Sequence, residues 1–165
     1  MFDAQLQAEI ADFLYREARL LDQRNWLQWL ELYAEDAVFW VPAPLMTGGY
    51  TSKPELELNY IYIVGRSGLE ARIVRIETNN SIASTPPPPT CHLVTGVTVE
   101  EANAKEIRAA ASCQVVSFSE QRGQQLRSGS YEYLLRRIGA SFVVARKKIL
   151  LLEHVIDGYF DIYSI

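Results

Sequence analysis

The chain has 165 residues, 48% of them apolar and 22% charged, with 16 basic against 20 acidic side chains and a net charge of −4. That size and mix fit one globular domain, residues 1–165, with a sizeable core, and the acidic balance with no basic face argues against nucleic acid as a partner. No apolar run approaches the roughly 20 residues of a membrane helix, the N-terminus MFDAQLQAEIADF lacks the Lys-led apolar character of a signal peptide, and the two cysteines, Cys91 and Cys113, read as reduced thiols in a cytoplasm.

Leu6, Ile10, Phe13, Leu14 and Leu21 recur at helical spacing with Gln7, Glu9, Asp12, Arg16 and Arg19 between them, which predicts an amphipathic first helix. NWLQWLELYAED opens with Asn25, an N-cap residue, with Gln28 three positions on; Trp26, Trp29, Leu30 and Tyr33 give a second, shorter helix its apolar face. AVFWVP reads as a strand stopped by Pro42. PLMTGGYTSKP is a loop in which Gly48 and Gly49 supply turn freedom. LELNYIYIV, rich in β-branched and aromatic residues, favours a strand. Ser67 to Glu70 has the capping-box pattern, and Leu69, Ile73 and Ile76 then share one side of a third helix.

After Asn79 the period changes to two. HLVTGVTVE, EIRAAASCQVVSF, RSGSYEYLLRRI and SFVVARKKILLLEHVI are consecutive strand candidates, with EANAK, EQRGQQ and IGA as turns. Short connections imply antiparallel pairing. Helices first and a curved meander last predict an α+β cone with the helices closing one side. Strict alternation along the last strand places Phe142, Val144, Leu150 and Leu152 on one face and Val143, Ala145, Ile149 and Leu151 on the other. A sheet apolar on both faces is expected to be covered on both, once by its own helices and once by a neighbouring subunit.

Four prolines lead into Cys91 and His92 in STPPPPTCHLV. Adjacent strand residues point to opposite faces, so this pair is suited neither to one metal ion nor to a thiolate–imidazole dyad. Two Cys and two His match the count of a Rieske centre but not the spacing, His92 and His154 with a carboxylate would have to meet across the sheet, and no zinc pattern is present. Cys113, in Ala-Ala-Ser-Cys-Gln-Val-Val, reads as a small core residue. The chemistry left open is acid–base: Asp36 or His92 in a cone pocket, with hydroxyls from Tyr50, Tyr60 and Tyr62. Against it, Asp36 suits a turn, a lone His at a strand start suits scaffold, and strand tyrosines suit packing. Arg136, Arg137, Arg146, Lys147 and Lys148 form a cation cluster on two neighbouring strands, read either as a solvated face or as the rim for an acidic partner.

FLYREARLLDQRNWLQWLELYAEDAVFWVP resembles the N-terminal signature of small (beta) subunits of aromatic-ring-hydroxylating dioxygenases: a Glu-Ala-x-Leu-Leu-Asp helix at Glu17 to Asp22, a Trp-rich helix at Trp26 to Tyr33, and an Asp-containing strand from Asp36 to Pro42. LEARIVRIET is similar to the family's mid-chain helix, with Arg72 and Arg75 in place. PPPPTCHLVTGVTV resembles its proline-led strand with a His, and YEYLLRRIGASFVVARKKILLLEHVI its last long hairpin, with Arg136, Arg137, Arg146 and Lys147. The chain departs from the family pattern at Pro88 to Cys91, where Ser-Arg-x-Arg is usual, at Gly96 in place of Asn, and at Ser130 and Tyr131 in place of two arginines.

The resemblance implies an NTF2-like α+β cone with no metal ligand or cofactor of its own. It implies an alpha-subunit partner carrying a Rieske 2Fe-2S cluster and a mononuclear iron, in a hexamer of three of each around a homotrimer of this chain. In that setting His92, Arg72, Arg75, Arg136, Arg137, Arg146 and Lys147 are expected to be structural or interface residues. The competing expectation is a stand-alone NTF2-like isomerase, dehydratase or cyclase for a small apolar substrate, with Asp36, His92 and Tyr60 as its site.

Overall fold

A computed structural model describes residues 4–80, 86–156 and 158–165; Ser84 and Thr85, at the head of the proline run, lie outside them. The elements are α1 (Ala4–Asp22), α2 (Trp26–Glu31), β1 (Tyr33–Pro42), β2 (Asn59–Val64), α3 (Arg66–Glu77), β3 (Thr90–Ala102), β4 (Glu106–Ser119), β5 (Gly123–Ile138) and β6 (Ser141–Leu151). The strands form one six-stranded sheet in the order β2-β1-β6-β5-β4-β3. Every pairing is antiparallel except β1 with β6, which run parallel. The predicted α+β architecture of helices on a curled, mainly antiparallel sheet is what the chain adopts.

The helices follow the expected apolar stripes. Ile10, Phe13, Leu14 and Leu21 of α1 are buried, as are Trp26, Trp29 and Leu30 of α2, and Leu69, Ile73 and Ile76 of α3. The predicted caps are not used. Asn25 precedes α2 but makes no side-chain cap bond. Helix α3 starts one residue before Ser67, after Gly65, whose φ of 85° suits a residue without a Cβ; Ser67 is therefore inside the first turn rather than at its cap.

Two bulges decide which side chains face inward. In β6, Leu135 pairs with Val144 and Leu134 with Arg146, which leaves Ala145 as an extra residue. The alternation changes phase there. Phe142 and Val144 share the inner face not with Leu150 and Leu152 but with Lys147, Ile149 and Leu151. The outer face then carries Val143, Arg146, Lys148 and Leu150, all half-buried, so the expectation of two fully apolar faces is corrected to one apolar and one mixed face. The strand also stops at Leu151 rather than running to Ile156. The following segment turns under the helices, where Ile162, Tyr163 and Ile165 are buried and the Tyr163 ring lies 6.0 Å from that of Trp26.

The second bulge is in β3, where Thr95 pairs with Ser112 and Thr98 with Ala110. Gly96 takes φ 60° within it. Among the described residues no strand lies beyond β3, and α1 runs along this edge. Gln7 Nε2 donates to the Val97 carbonyl, the Val99 N–H donates to Gln7 Oε1 at 3.1 Å, and the His92 N–H donates to Asp22 Oδ2 at 2.9 Å. Gln7 to Asp22 spans about 22 Å of helix and His92 to Val99 about 23 Å of strand. The two elements match in length, so side chains at both ends of α1 satisfy backbone groups that an edge strand would otherwise expose.

Gly129 stands where β5 passes closest to β6. A Cβ there would lie 2.2 Å from the Leu150 carbonyl oxygen. Gly129→Ala is therefore expected to force the strands apart and cost about 1–3 kcal/mol, the range for overpacking. Urea unfolding of the variant against the parent measures it.

Candidate functional site

The inner faces of α1, α2 and the sheet converge on one carboxylate. Glu17 follows Phe13 and precedes Leu21 at four-residue spacing, so helix geometry carries it into the buried stripe. The β6 bulge turns Lys147 toward it. Lys147 Nζ donates to Glu17 Oε1 at 3.0 Å and to Oε2 at 2.9 Å; both side chains are at most 1% exposed. Trp29 Nε1 and the Tyr33 hydroxyl donate to Oε1 at 2.9 and 2.7 Å, and the Tyr133 hydroxyl to Oε2 at 3.1 Å. The Lys147 ammonium also lies 4.2 Å from the centre of the Tyr131 ring, within cation–π range.

Burial opposes ionisation of Glu17, but the Lys147 charge and the bonds from Lys147, Tyr33 and Trp29 outweigh it and hold the carboxyl below its ordinary value. Burial, then the neighbouring carboxylate, raises Tyr33 and Tyr133 well above ordinary phenols, so both remain neutral donors. Both oxygens of the Glu17 carboxylate thus have at least two donors each.

A second cluster joins the end of α1 to the start of β3. Asp22 Oδ1 accepts from the Thr90 hydroxyl at 2.9 Å and lies 2.6 Å from His92 Nδ1, while Oδ2 takes the His92 backbone N–H. An ionised carboxylate only accepts, so Nδ1 carries the proton. Burial works against the charge on Asp22, and the bonds from His92 and Thr90 more than offset it, lowering its pKa. The His92 side chain is 1% exposed and its Nε2 has no partner. Arg24 extends the clamp by donating to the Pro87 carbonyl at 2.8 Å. Cys91 is exposed and Cys113 buried, on opposite faces as alternation requires. Burial pushes the Cys113 thiol up to about 11.

The other expected residues are dispersed. Asp36 sits in the irregular part of β1, 66% exposed, with Arg136 Nη1 at 2.6 Å; it lines no pocket with His92. Tyr60 packs edge-on against Phe160, with its hydroxyl 3.4 Å from the His154 carbonyl. Arg72 pairs at 2.7 Å with Asp161, which is fully buried. Arg75 is exposed on α3. Arg137 lies 5.2 Å from the Phe142 ring centre, Lys148 pairs with Glu132 at 3.2 Å, and Arg146 is half-buried. Lys147 does not belong to this outward cluster at all, because the bulge places it in the core. Glu17 was within reach of sequence reading, since a carboxylate on an apolar stripe needs a buried cation. Its partner was not, because nothing local marks the bulge.

Among the described residues, no group of three or more His, Cys, Asp or Glu side chains is arranged to hold a metal ion, and no helix is long and apolar enough to cross a membrane.

Helices on a curled six-stranded sheet in this order define an NTF2-like α+β fold. The model of the ring hydroxylating beta subunit family matches residues 16–158, and the chain belongs to that family: it is a small subunit, the non-catalytic part, of an aromatic-ring-hydroxylating dioxygenase. It is 34% identical over 157 residues to the benzoate 1,2-dioxygenase subunit beta of Acinetobacter baylyi, covering 95% of this chain and 92% of that one. It is 31% identical to the 2-halobenzoate 1,2-dioxygenase small subunit of Burkholderia cepacia, covering 95% and 94%, and 32% identical to the anthranilate 1,2-dioxygenase small subunit of Acinetobacter baylyi, covering 98% of each. Among solved structures, the beta subunit of the Burkholderia mallei benzoate 1,2-dioxygenase superposes with a TM-score of 0.75 at 31% identity, covering 100% of this chain and 99% of that one. A likeness in fold alone extends to a Novosphingobium aromaticivorans protein of the scytalone dehydratase type, TM-score 0.67 at 11% identity over 88% and 83% of the two chains.

Three outcomes follow for the two clusters. Lys147→Met should cost about 3–5 kcal/mol, the penalty for stranding one member of a buried pair. Because Glu17 is held below the 4.5 of a free glutamate, its contribution is complete above about pH 4.5 and declines as pH falls toward its folded value. Urea midpoints from neutral to acid pH should therefore slope in the parent and lose that component in Glu17→Gln. His92→Ala should lower stability by about 1–3 kcal/mol by leaving Asp22 short of a donor, read in the same unfolding assay.

Proposed function

We propose that this chain is the assembly-bearing beta subunit of an oxygenase for aromatic carboxylic acids of the benzoate type, working in the cytoplasm. As a small subunit it has an alpha-subunit partner. In our reading that partner carries the Rieske 2Fe-2S cluster and the mononuclear iron, the substrate pocket lies there, and the two chains associate as three of each around a trimer of this one. Residues 1–165 act as one domain. The observation that carries the reading is the family match over residues 16–158, and the closed buried network of Glu17, Lys147, Trp29, Tyr33 and Tyr133 supports a structural core at the centre of the chain. The relatives named for benzoate, 2-halobenzoate and anthranilate support the substrate class.

The surface is consistent with a partner. Leu56 and Leu58 on the β1–β2 connection are each 82% exposed, and Val155 after β6 is 85% exposed. The connection is tied to the end of β6 by the Tyr50 hydroxyl, which donates to the Leu151 carbonyl at 2.7 Å. The interface roles of His92, Arg72, Arg75, Arg136, Arg137 and Arg146 divide accordingly. We assign His92 and Arg72 to internal clamps, and Arg75, Arg136, Arg137 and Arg146 to subunit contacts.

Co-expression with a Rieske alpha subunit of the benzoate type, followed by sizing with light scattering, tests this. The expected species is one complex of equal stoichiometry with threefold order. A chain that stays monomeric and ignores alpha would overturn it.

A further inference from the structure

Arg146 stands in the middle of the outer sheet face without a counter-ion. The strand registers place Val64, Val38, Arg146, Leu134 and Arg108 side by side in one row across β2, β1, β6, β5 and β4. The other cations of this face each have a carboxylate. Lys148 has Glu132 at 3.2 Å, Arg136 has Asp36 at 2.6 Å, and Arg108 has Glu101 at 3.2 Å. Arg146 has Val38 and Leu134 on either side instead. Its Nε is buried with no acceptor, and no carboxylate among the described residues pairs with it. A half-buried guanidinium between two aliphatic side chains has lost hydration without gaining a partner. Its complement is a carboxylate on an apolar support, which takes the guanidinium in charge-assisted bonds.

The chain itself presents such a group. Glu55, on the β1–β2 connection, is exposed and has no cation partner among the described residues. Leu56 and Leu58 stand exposed next to it. Glu57 is committed elsewhere, since its carboxylate accepts the backbone N–H groups of Ser52 and Lys53. The Tyr50 hydroxyl ties this connection to Leu151, at the end of β6. Arg146 lies about 17 Å back along that strand. The carboxylate and the guanidinium are thus held apart within one chain and are free to meet between two.

We propose that the outer face around Arg146 seats the β1–β2 connection of a second copy of this chain, with the partner's Glu55 on the Arg146 guanidinium and the partner's Leu56 and Leu58 against Val38, Val64 and Leu134. The contact joins two different patches, so it runs head to tail and is satisfied throughout only in a closed ring. It rests on the threefold reading above and names the surfaces that meet in it.

Sedimentation velocity of the full-length chain alone, over a concentration series, measures the contact. The parent should form a trimer. Glu55→Lys and Arg146→Glu should each weaken self-association by about tenfold or more, the scale of one charge-assisted bond. The double variant restores opposite charges in reversed order and should recover most of that loss. Leu56→Ser should weaken association as well. Glu55 is exposed, so Glu55→Lys keeps the fold and decides the case even where Arg146→Glu does not fold; Arg146→Gln, with its urea midpoint checked against the parent, then stands in for it. A trimer indifferent to Glu55→Lys, or a folded double variant no tighter than Arg146→Glu, would overturn the contact and leave the assembly reading standing. A chain that is monomeric alone yet forms an equimolar complex with alpha would also overturn it and give this face to alpha. A chain that joins neither itself nor alpha would overturn both.

Discussion

The fold is organised around one buried charge pair. Glu17 and Lys147 sit 130 positions apart in sequence and meet where α1, α2, β5 and β6 converge. Either charge alone in such a place would cost several kcal/mol in lost hydration. Together, with Trp29, Tyr33 and Tyr133 filling the remaining lone pairs of the carboxylate, they form a closed network that tolerates few rearrangements. An apolar substitute of the same volume would hold the elements together as well. It would not fix which turn of α1 faces which residue of β6, because apolar contacts are not directional. The pair sets the register of helix on sheet.

That register has consequences at both ends of α1. With Glu17 pinned, Gln7 and Asp22 fall opposite Val99 and His92, and the helix takes the place of a seventh strand along β3. An unprotected edge of this length would invite strand pairing with other chains. Covering it with a helix removes that hazard.

Much of this was readable from the residues. The apolar stripes of α1, α2 and α3, the change to period two after Asn79, and the four-strand meander are all strong periodic signals over long segments, where local pattern and burial agree. The separation of Cys91 from His92 followed from alternation alone. What escaped reading depends on single-residue irregularities. The extra residue at Ala145 has no signature such as Gly, yet it reverses the facing of everything after it and turns Lys147 from an apparent surface cation into the centre of the core. The segment after Leu151 looked like continued strand because Leu152, Val155 and Ile156 are apolar, but Ile162, Tyr163 and Ile165 gain more by packing under the helices.

The Asp22–His92 pair shows how a motif can keep its chemistry and change its use. A carboxylate bonded to one imidazole nitrogen, with the other unpartnered, is the arrangement from which general bases are made. A base also needs a reacting atom held within reach and water kept out. Here the ring is buried while the groove beside it, between α1 and β3, lies open, and the hydroxyl of Tyr60 bonds elsewhere, to the His154 carbonyl. What the pair does supply is a rigid corner: Asp22 takes bonds from the Thr90 hydroxyl, the His92 backbone and the His92 ring at once. Three bonds to one carboxylate fix the point at which the proline-led segment becomes β3. Replacing Pro86 to Pro89 by more flexible residues would raise the entropy lost in reaching that corner, so the prolines and the Asp22 clamp act on the same step, one in the unfolded chain and one in the folded.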